Sequence, residues 1–197
     1  MTTNLRALAL PLAVFILGAS ALVGAAYIGL DSLRSETRGP SAIGGRFSLT
    51  AADGRTVSDA DMKGEPFLVF FGYTHCPDTC PTTLSQISDV FGKLGPDRKV
   101  GALFITVDPE RDTPAVMKDY LSNFDRRIIG LSGDRSAIEA AMKAYRVIAR
   151  KVPTQDGDYS MDHTAIIYLM DKQGRFVSAF NLDQAPEAAA RDLSTYL

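Results

Sequence analysis

An apolar run leads directly into the chain's only two cysteines at residues 66–81, PFLVFFGYTHCPDTCP. Residues 66–73 predict a buried β-strand, because a short continuous apolar segment is typical of a strand covered on both faces. Pro81 fits the first turn of a helix, where its missing N–H leaves no hydrogen bond unmade. We therefore expect Cys76 and Cys80 at a strand-to-helix junction, with Cys80 at the helix cap and neither cysteine inside the regular helix.

Strand-like and helix-like segments alternate on both sides of this junction. Asp53-Gly54 predicts a turn inside an opening hairpin. Further strands are predicted at residues 101–108, 128–131, 163–169 and 176–180, and helices near 81–94, 113–124, 138–147 and 186–197. Residues 151–160 are expected to form a mobile loop. This order predicts the α/β class, with a mixed sheet, a thioredoxin-like fold and an extra N-terminal β-hairpin.

The start of the chain has the character of a membrane anchor. Residues 7–30 carry no charge, and a helix of about 20 apolar residues is long enough to cross a bilayer. We expect a single N-terminal transmembrane helix; the alternative is a cleaved signal peptide, whose apolar core is about 7–15 residues long. Arg6 keeps residues 1–6 in the cytoplasm, which predicts a bacterial inner-membrane protein whose domain, residues 46–197, faces the periplasm. Residues 31–45 are expected to be a linker.

The charge balance argues against a nucleic-acid partner. The chain has 21 basic and 23 acidic residues. A protein that binds nucleic acid typically concentrates basic residues, because phosphate contacts dominate its affinity. We therefore expect no nucleic-acid binding.

The two thiols allow three kinds of chemistry. In an oxidising compartment they could form a structural disulfide, although a bridge closing so short a loop removes little chain entropy. They could also be a redox-active pair, or ligands of one metal ion. The positive end of the helix dipole is expected to favour the thiolate forms that redox and metal chemistry both require.

A metal site needs a third ligand, and the chain has only two histidines. His75 is interpreted as an ordinary surface or partly buried residue. His163 opens the predicted strand 163–169, whose start is expected beside the cysteine segment in this fold. Two thiolates and one imidazole favour copper or zinc, and since structural zinc sites normally have four protein ligands, three ligands suit Cu(I) or, with one more, Cu(II).

Three segments together resemble the Sco/SenC family. They are FFGYTHCPDTCP at residues 70–81, VDPERDTP at residues 107–114 and DHT at residues 162–164. The resemblance begins near residue 40 and extends to the carboxyl end. It implies that Cys76, Cys80 and His163 bind copper, as Cu(I), Cu(II) or both. It also implies that Asp108 supports the metal site; the alternative is that Asp108 only ends a strand and caps a turn.

The same resemblance implies a metallochaperone for cytochrome c oxidase. The implied partners are oxidase subunit II, with its dinuclear copper site, and a periplasmic copper donor. Copper delivery, reduction of the subunit's thiols, or both would be its role, so an enzymatic activity stays open. The alternative function is a periplasmic thiol-disulfide oxidoreductase, although C-x-x-x-C is one residue longer than the C-x-x-C motif of general dithiol oxidoreductases.

Overall fold

Seven strands form the main sheet of the computed structural model, which describes residues 43–197. Their order across the sheet is β2-β1-β5-β4-β3-β8-β9. The bounds are β1 Ser48–Ala51, β2 Thr56–Ser58, β3 Phe67–Gly72, β4 Gly101–Thr106, β5 Ile128–Ser132, β8 Ile167–Met170 and β9 Phe176–Ala179. A separate two-stranded sheet pairs β6 (Ala149–Pro153) with β7 (Tyr159–His163). The helices are α1 Thr79–Leu94, α2 Pro114–Leu121, α3 Arg135–Ala144 and α4 Pro186–Ser194.

Strand β3 lies near the centre of the sheet, as its sequence predicts. It pairs in parallel with β4 and antiparallel with β8, and all six of its residues are buried. A strand covered on both faces needs apolar side chains at every position, which is why its pattern is continuous rather than alternating. The predicted mixed sheet is therefore confirmed.

The predicted N-terminal hairpin is also confirmed. Strands β1 and β2 pair antiparallel, and β1 also pairs antiparallel with β5. Gly54, in the turn between them, has φ +86°, a left-handed conformation that glycine adopts without steric cost. The hairpin thus extends the sheet on the side away from β3.

Helix α1 covers the sheet with an apolar face and begins earlier than predicted. Its N-cap is Asp78, so Cys80 lies inside the first turn and not at the cap. The expectation that neither cysteine is helical is therefore wrong for Cys80. Pro81 is still compatible with the helix, because the N–H groups of the first turn have no partner within the helix.

The prediction of a mobile loop at residues 151–160 is wrong. Most of it belongs to the β6–β7 hairpin, in which Ala149 pairs with His163 and Pro153 with Tyr159. Gly157, with φ +84°, lies in its turn. His163 consequently ends β7 and does not open the next strand, which begins only at Ile167.

The predicted cytoplasmic segment 1–6, anchor 7–30 and nearly all of linker 31–45 lie outside the described residues. Within residues 43–197, no helix combines the length and apolar character needed to cross a bilayer.

Candidate metal centre

The three predicted metal ligands come from three different elements, and Cys80 contacts each of the other two. Cys76 lies in the turn after β3, Cys80 in the first turn of α1 and His163 at the end of β7. Cys80 Sγ lies 3.9 Å from His163 Nε2. The backbone N–H of Cys80 donates to Cys76 Sγ at 3.4 Å, and both cysteines are free thiols.

The imidazole of His163 has a defined orientation and tautomer. Its Nδ1 lies 3.1 Å from the carbonyl oxygen of Thr164. Because a carbonyl only accepts, Nδ1 carries a proton, so in the neutral ring the lone pair on Nε2 faces Cys80. A metal-binding histidine typically has its other ring nitrogen fixed in this way. The ring of Tyr73 packs edge-on against the imidazole, with centroids 5.8 Å apart.

The two sulfurs differ in their access to solvent. Cys80 is fully buried, at 0% exposure, whereas Cys76 is half-buried. Cys76 and His163 line one open cavity of about 310 Å³, with Tyr73 and Met161 among its other walls. An incoming group can therefore reach Cys76 before it reaches the buried Cys80.

Burial decides the protonation of Cys80. Removal from water raises the pKa of its thiol well above the ordinary value, and the charges of Cys76 and Asp112 act in the same direction. The expectation that the helix N-terminus favours the thiolate is therefore wrong for Cys80 in the metal-free protein. A bound cation would reverse this preference, since a coordinating thiol is deprotonated outright.

The spacing of Cys80 and His163 fits one small, soft cation. With bonds of about 2.3 Å to sulfur and about 2.0 Å to nitrogen, their 3.9 Å separation corresponds to an S–M–N angle of about 130°. That angle lies between trigonal and linear geometry, and thiolate and imidazole are ligands that copper accepts. Within residues 43–197, no three His, Cys, Asp or Glu side chains are already clustered as a metal-binding group.

Asp108 contacts the hairpin that carries His163, not the two cysteine sulfurs. It is buried, at 1% exposure, and its carboxylate accepts from Arg111 Nε at 2.5 Å and from the Tyr159 hydroxyl at 3.0 Å. Tyr159 begins the strand that ends at His163. The structure thus places Asp108 in contact with the His163 hairpin through Tyr159.

Asp112 is a buried residue of the site that the sequence analysis did not identify. Its carboxylate accepts from the Thr74 hydroxyl at 2.6 Å, from the Thr74 backbone N–H at 3.1 Å and from the Thr106 hydroxyl at 2.6 Å. These bonds fix the segment that leads into Cys76. The available signal was its place in the segment 107–114, where Asp108 ends a predicted buried strand and Asp112 follows four residues later.

His75 is exposed, in agreement with its interpretation as a surface residue. Its Nδ1 lies 3.1 Å from the Thr74 hydroxyl, which itself donates to Asp112.

Comparison with known proteins gives a consistent assignment. Residues 35–197 match the family described as SCO1/SenC. The structure of Bradyrhizobium japonicum ScoI with copper bound is 62% identical, with a TM-score of 0.76 over 79% of this chain and 99% of that chain. BsSco, described as having a disulfide switch and as a member of the Sco family of cytochrome c oxidase assembly proteins, is 26% identical, with a TM-score of 0.63 over 80% of this chain and 95% of that chain.

A human relative matches almost the whole chain. The mitochondrial protein SCO1 homolog of Homo sapiens is 33% identical in an alignment 195 positions long that covers 93% of this chain. The chain spans 64% of the length of that human protein. The family match and the fold together show that this chain belongs to the SCO1/SenC family.

Proposed function

We propose that this protein binds one copper ion through Cys76, Cys80 and His163 and delivers it to the dinuclear copper site of cytochrome c oxidase subunit II. The observation that carries the proposal is the 3.9 Å approach of His163 Nε2 to Cys80 Sγ, across 83 residues of sequence. The similarity to a ScoI structure with copper bound, at 62% identity, supports copper as the metal. The relation to BsSco, from a family of cytochrome c oxidase assembly proteins, supports the client.

The different burial of the two cysteines suggests an order for ligand exchange. Half-buried Cys76 is accessible from the cavity, while Cys80 is fully buried and does not line it. An incoming thiolate of the client would replace Cys76 first, and Cys80 and His163 would release the ion last. Each thiol gives up a proton when it binds copper and regains one when the ion leaves, so uptake of the metal releases protons.

The exported location is part of the same proposal. The uncharged segment 7–30 supports an anchor in a bacterial inner membrane, with the copper-binding domain in the periplasm. Tethering a carrier in the membrane of its client raises the effective concentration of one for the other. A periplasmic donor would supply the copper.

Thiol-disulfide exchange is a second candidate function. The specific observation in its favour is that both thiols are free and adjacent, with the Cys80 N–H donating to Cys76 Sγ at 3.4 Å, while Cys76 also lines the open cavity. The Cys76 thiolate would attack a client disulfide to form a mixed disulfide, which Cys80 would then resolve. The client gains two electrons and two protons, and Cys76 and Cys80 end as a disulfide.

Copper titration of the reduced protein tests the primary proposal. We expect one Cu(I) per chain, and we expect His163→Ala to weaken binding while both thiols stay available to an alkylating reagent. The matched control is His75→Ala, which removes the other histidine and should leave the affinity unchanged. Equal affinities for wild-type protein and His163→Ala would refute the three-ligand site.

The second candidate has its own assay. Metal-free, reduced protein is mixed with a client peptide that carries a disulfide, and the release of thiols is followed. Reduction that requires both cysteines and is indifferent to His163→Ala would support thiol-disulfide exchange. Failure of the peptide to react would exclude it as a function of this site.

A further inference from the structure

The strand that carries His163 is not part of the seven-stranded sheet. Strands β6 and β7 form a separate sheet, and most of β6 is exposed to solvent. Cys80, by contrast, lies in a helix packed on the main sheet. The distance between imidazole and sulfur therefore depends on the contacts that join this hairpin to the rest of the domain.

Arg111 contacts the hairpin at Tyr159 and at Asp158. It follows β4, and its side chain is 16% exposed. Its Nε donates to Asp108 Oδ2 at 2.5 Å, and its Nη1 donates to the Tyr159 carbonyl at 3.0 Å. The guanidinium carbon also lies 3.8 Å from the centroid of the Tyr159 ring.

Tyr159 also bonds to the carboxylate of Asp108. Its hydroxyl donates to Asp108 Oδ1 at 3.0 Å, so that each of the three residues contacts the other two. We call Asp108, Arg111 and Tyr159 the Arg111 cluster. Two ion pairs also join the hairpin to this segment, Lys151 with Glu110 and Arg111 Nη1 with Asp158 at 3.2 Å. At least one partner in each pair is about half exposed or more, so solvent weakens both.

The cluster acts at one end of β7 and the candidate ligand lies at the other. Tyr159 and His163 are four residues apart, and since side chains alternate along a strand, both point to the same face. We therefore expect a change in the position of Tyr159 to move His163 as well, because both residues belong to the same strand. Arg111 also lies 5.9 Å from the ring of Tyr73, which packs against His163.

We propose that Arg111 is a positioning residue, which holds the β6–β7 hairpin so that His163 Nε2 meets Cys80 at bonding distance for one ion. This inference rests on the proposed copper site. A preset imidazole binds the ion without the cost of ordering the hairpin, and loss of a residue that orients a metal ligand typically weakens metal binding about 10- to 100-fold.

Arg111→Met tests the inference, and the chain provides a close control. Arg127 also pairs with a carboxylate, Asp125 at 2.7 Å, lies 4.8 Å from the Phe91 ring and has a side chain 17% exposed. Arg127 and Arg111 lie at opposite ends of β4. Arg127 directly precedes β5, whose first residue pairs near the start of β4, whereas Arg111 follows the end of β4. Copper affinity, measured by competition with a Cu(I) chelator, should fall about 10- to 100-fold in Arg111→Met and remain unchanged in Arg127→Met.

Two further measurements separate positioning from a general loss of structure. In a His163→Ala background, Arg111→Met should change copper affinity less than twofold, because the residue through which it acts is absent. In the metal-free protein, the ¹⁵N resonance of His163 Nε2 should shift in Arg111→Met and not in Arg127→Met. Should Arg111→Met fail to fold, Tyr159→Phe, which removes only the hydroxyl contact with Asp108, takes its place with a smaller expected loss of affinity.

Unchanged affinity in Arg111→Met would overturn the inference, as would an equal loss with and without His163. These results differ from failure of the proposed function itself, which would show as unchanged copper binding in His163→Ala of the otherwise wild-type protein.

Discussion

Replacing Gly72 by alanine tests how closely β3 packs against the buried cysteine. Gly72 is the last residue of β3. A Cβ atom added there would lie 2.6 Å from Cε2 of Phe104 and 2.8 Å from Sγ of Cys80. Both neighbours are fully buried, at 0% exposure, so neither can move aside into solvent.

The expected magnitude follows from these distances. Carbon atoms in favourable contact are about 3.5–4.0 Å apart, so the ring or the new methyl group must move by about 1 Å. Overpacking of this kind costs about 1–3 kcal/mol, and the lower entropy of the unfolded chain with alanine offsets about 0.4–1 kcal/mol. We expect a net loss of up to about 2.6 kcal/mol, with a central value of about 1.3 kcal/mol. For a domain of this size, that central value lowers Tm by about 3–5 °C.

Gly92→Ala is the matched control. Gly92 lies in α1, is exposed and would place its Cβ in open space. Alanine is favoured over glycine inside a helix by about 1 kcal/mol, so this variant should be more stable than wild type. Thermal unfolding of the reduced, metal-free proteins should therefore show shifts of opposite sign.

Copper affinity gives a second measurement on the same pair of variants. Displacement of Cys80 Sγ should weaken binding in Gly72→Ala, and Gly92→Ala should bind as wild type does. A Gly72→Ala protein as stable as Gly92→Ala, with unchanged copper affinity, would refute the close packing of β3 against Cys80.

The remaining predictions concern two aspartates. Asp112→Ala leaves three hydrogen-bond donors of Thr74 and Thr106 without their buried acceptor, and should lower the free energy of unfolding in urea by about 3 kcal/mol or more; a loss below about 1 kcal/mol would contradict this. The hydrogen bond from Arg127 lowers the pKa of Asp125 below its ordinary value of 3.8. Because the folded state then binds this proton less tightly than the unfolded state, the stabilisation is present above pH 3.8 and is lost as pH falls through the folded pKa. Asp125→Asn should therefore make stability less dependent on pH below 3.8, and an unchanged acid dependence would count against the ion pair.

Local sequence patterns predicted the elements with strong apolar periodicity. The continuous apolar run of β3 and the helical spacing in α1 each identify an element from neighbouring residues alone. The β6–β7 hairpin was missed because its strand β6 is almost entirely exposed and carries no alternation of apolar and polar residues. Asp156-Gly157 was a turn signal there, but a turn signal without flanking apolar residues predicts a hairpin only weakly.

The candidate ligands were predictable in identity but not in arrangement. Only two cysteines and two histidines exist, so few ligand sets were possible. Two aspartates in segment 107–114 have different roles, Asp108 at the hairpin and Asp112 at the turn before Cys76. Nothing in their local sequence distinguishes those roles, since each depends on a partner from another part of the fold.

The sequence by itself determined which atoms could bind a metal: two sulfurs one helical turn apart, set at the end of an apolar strand. Only the tertiary structure decided that Cys80 is buried while Cys76 remains accessible, and that an imidazole 83 residues away faces the buried sulfur. The physical reason is the distance along the chain over which each effect acts. Side-chain periodicity and capping act over a few neighbouring residues, whereas burial and ligand distance are set by contacts between segments far apart in the chain.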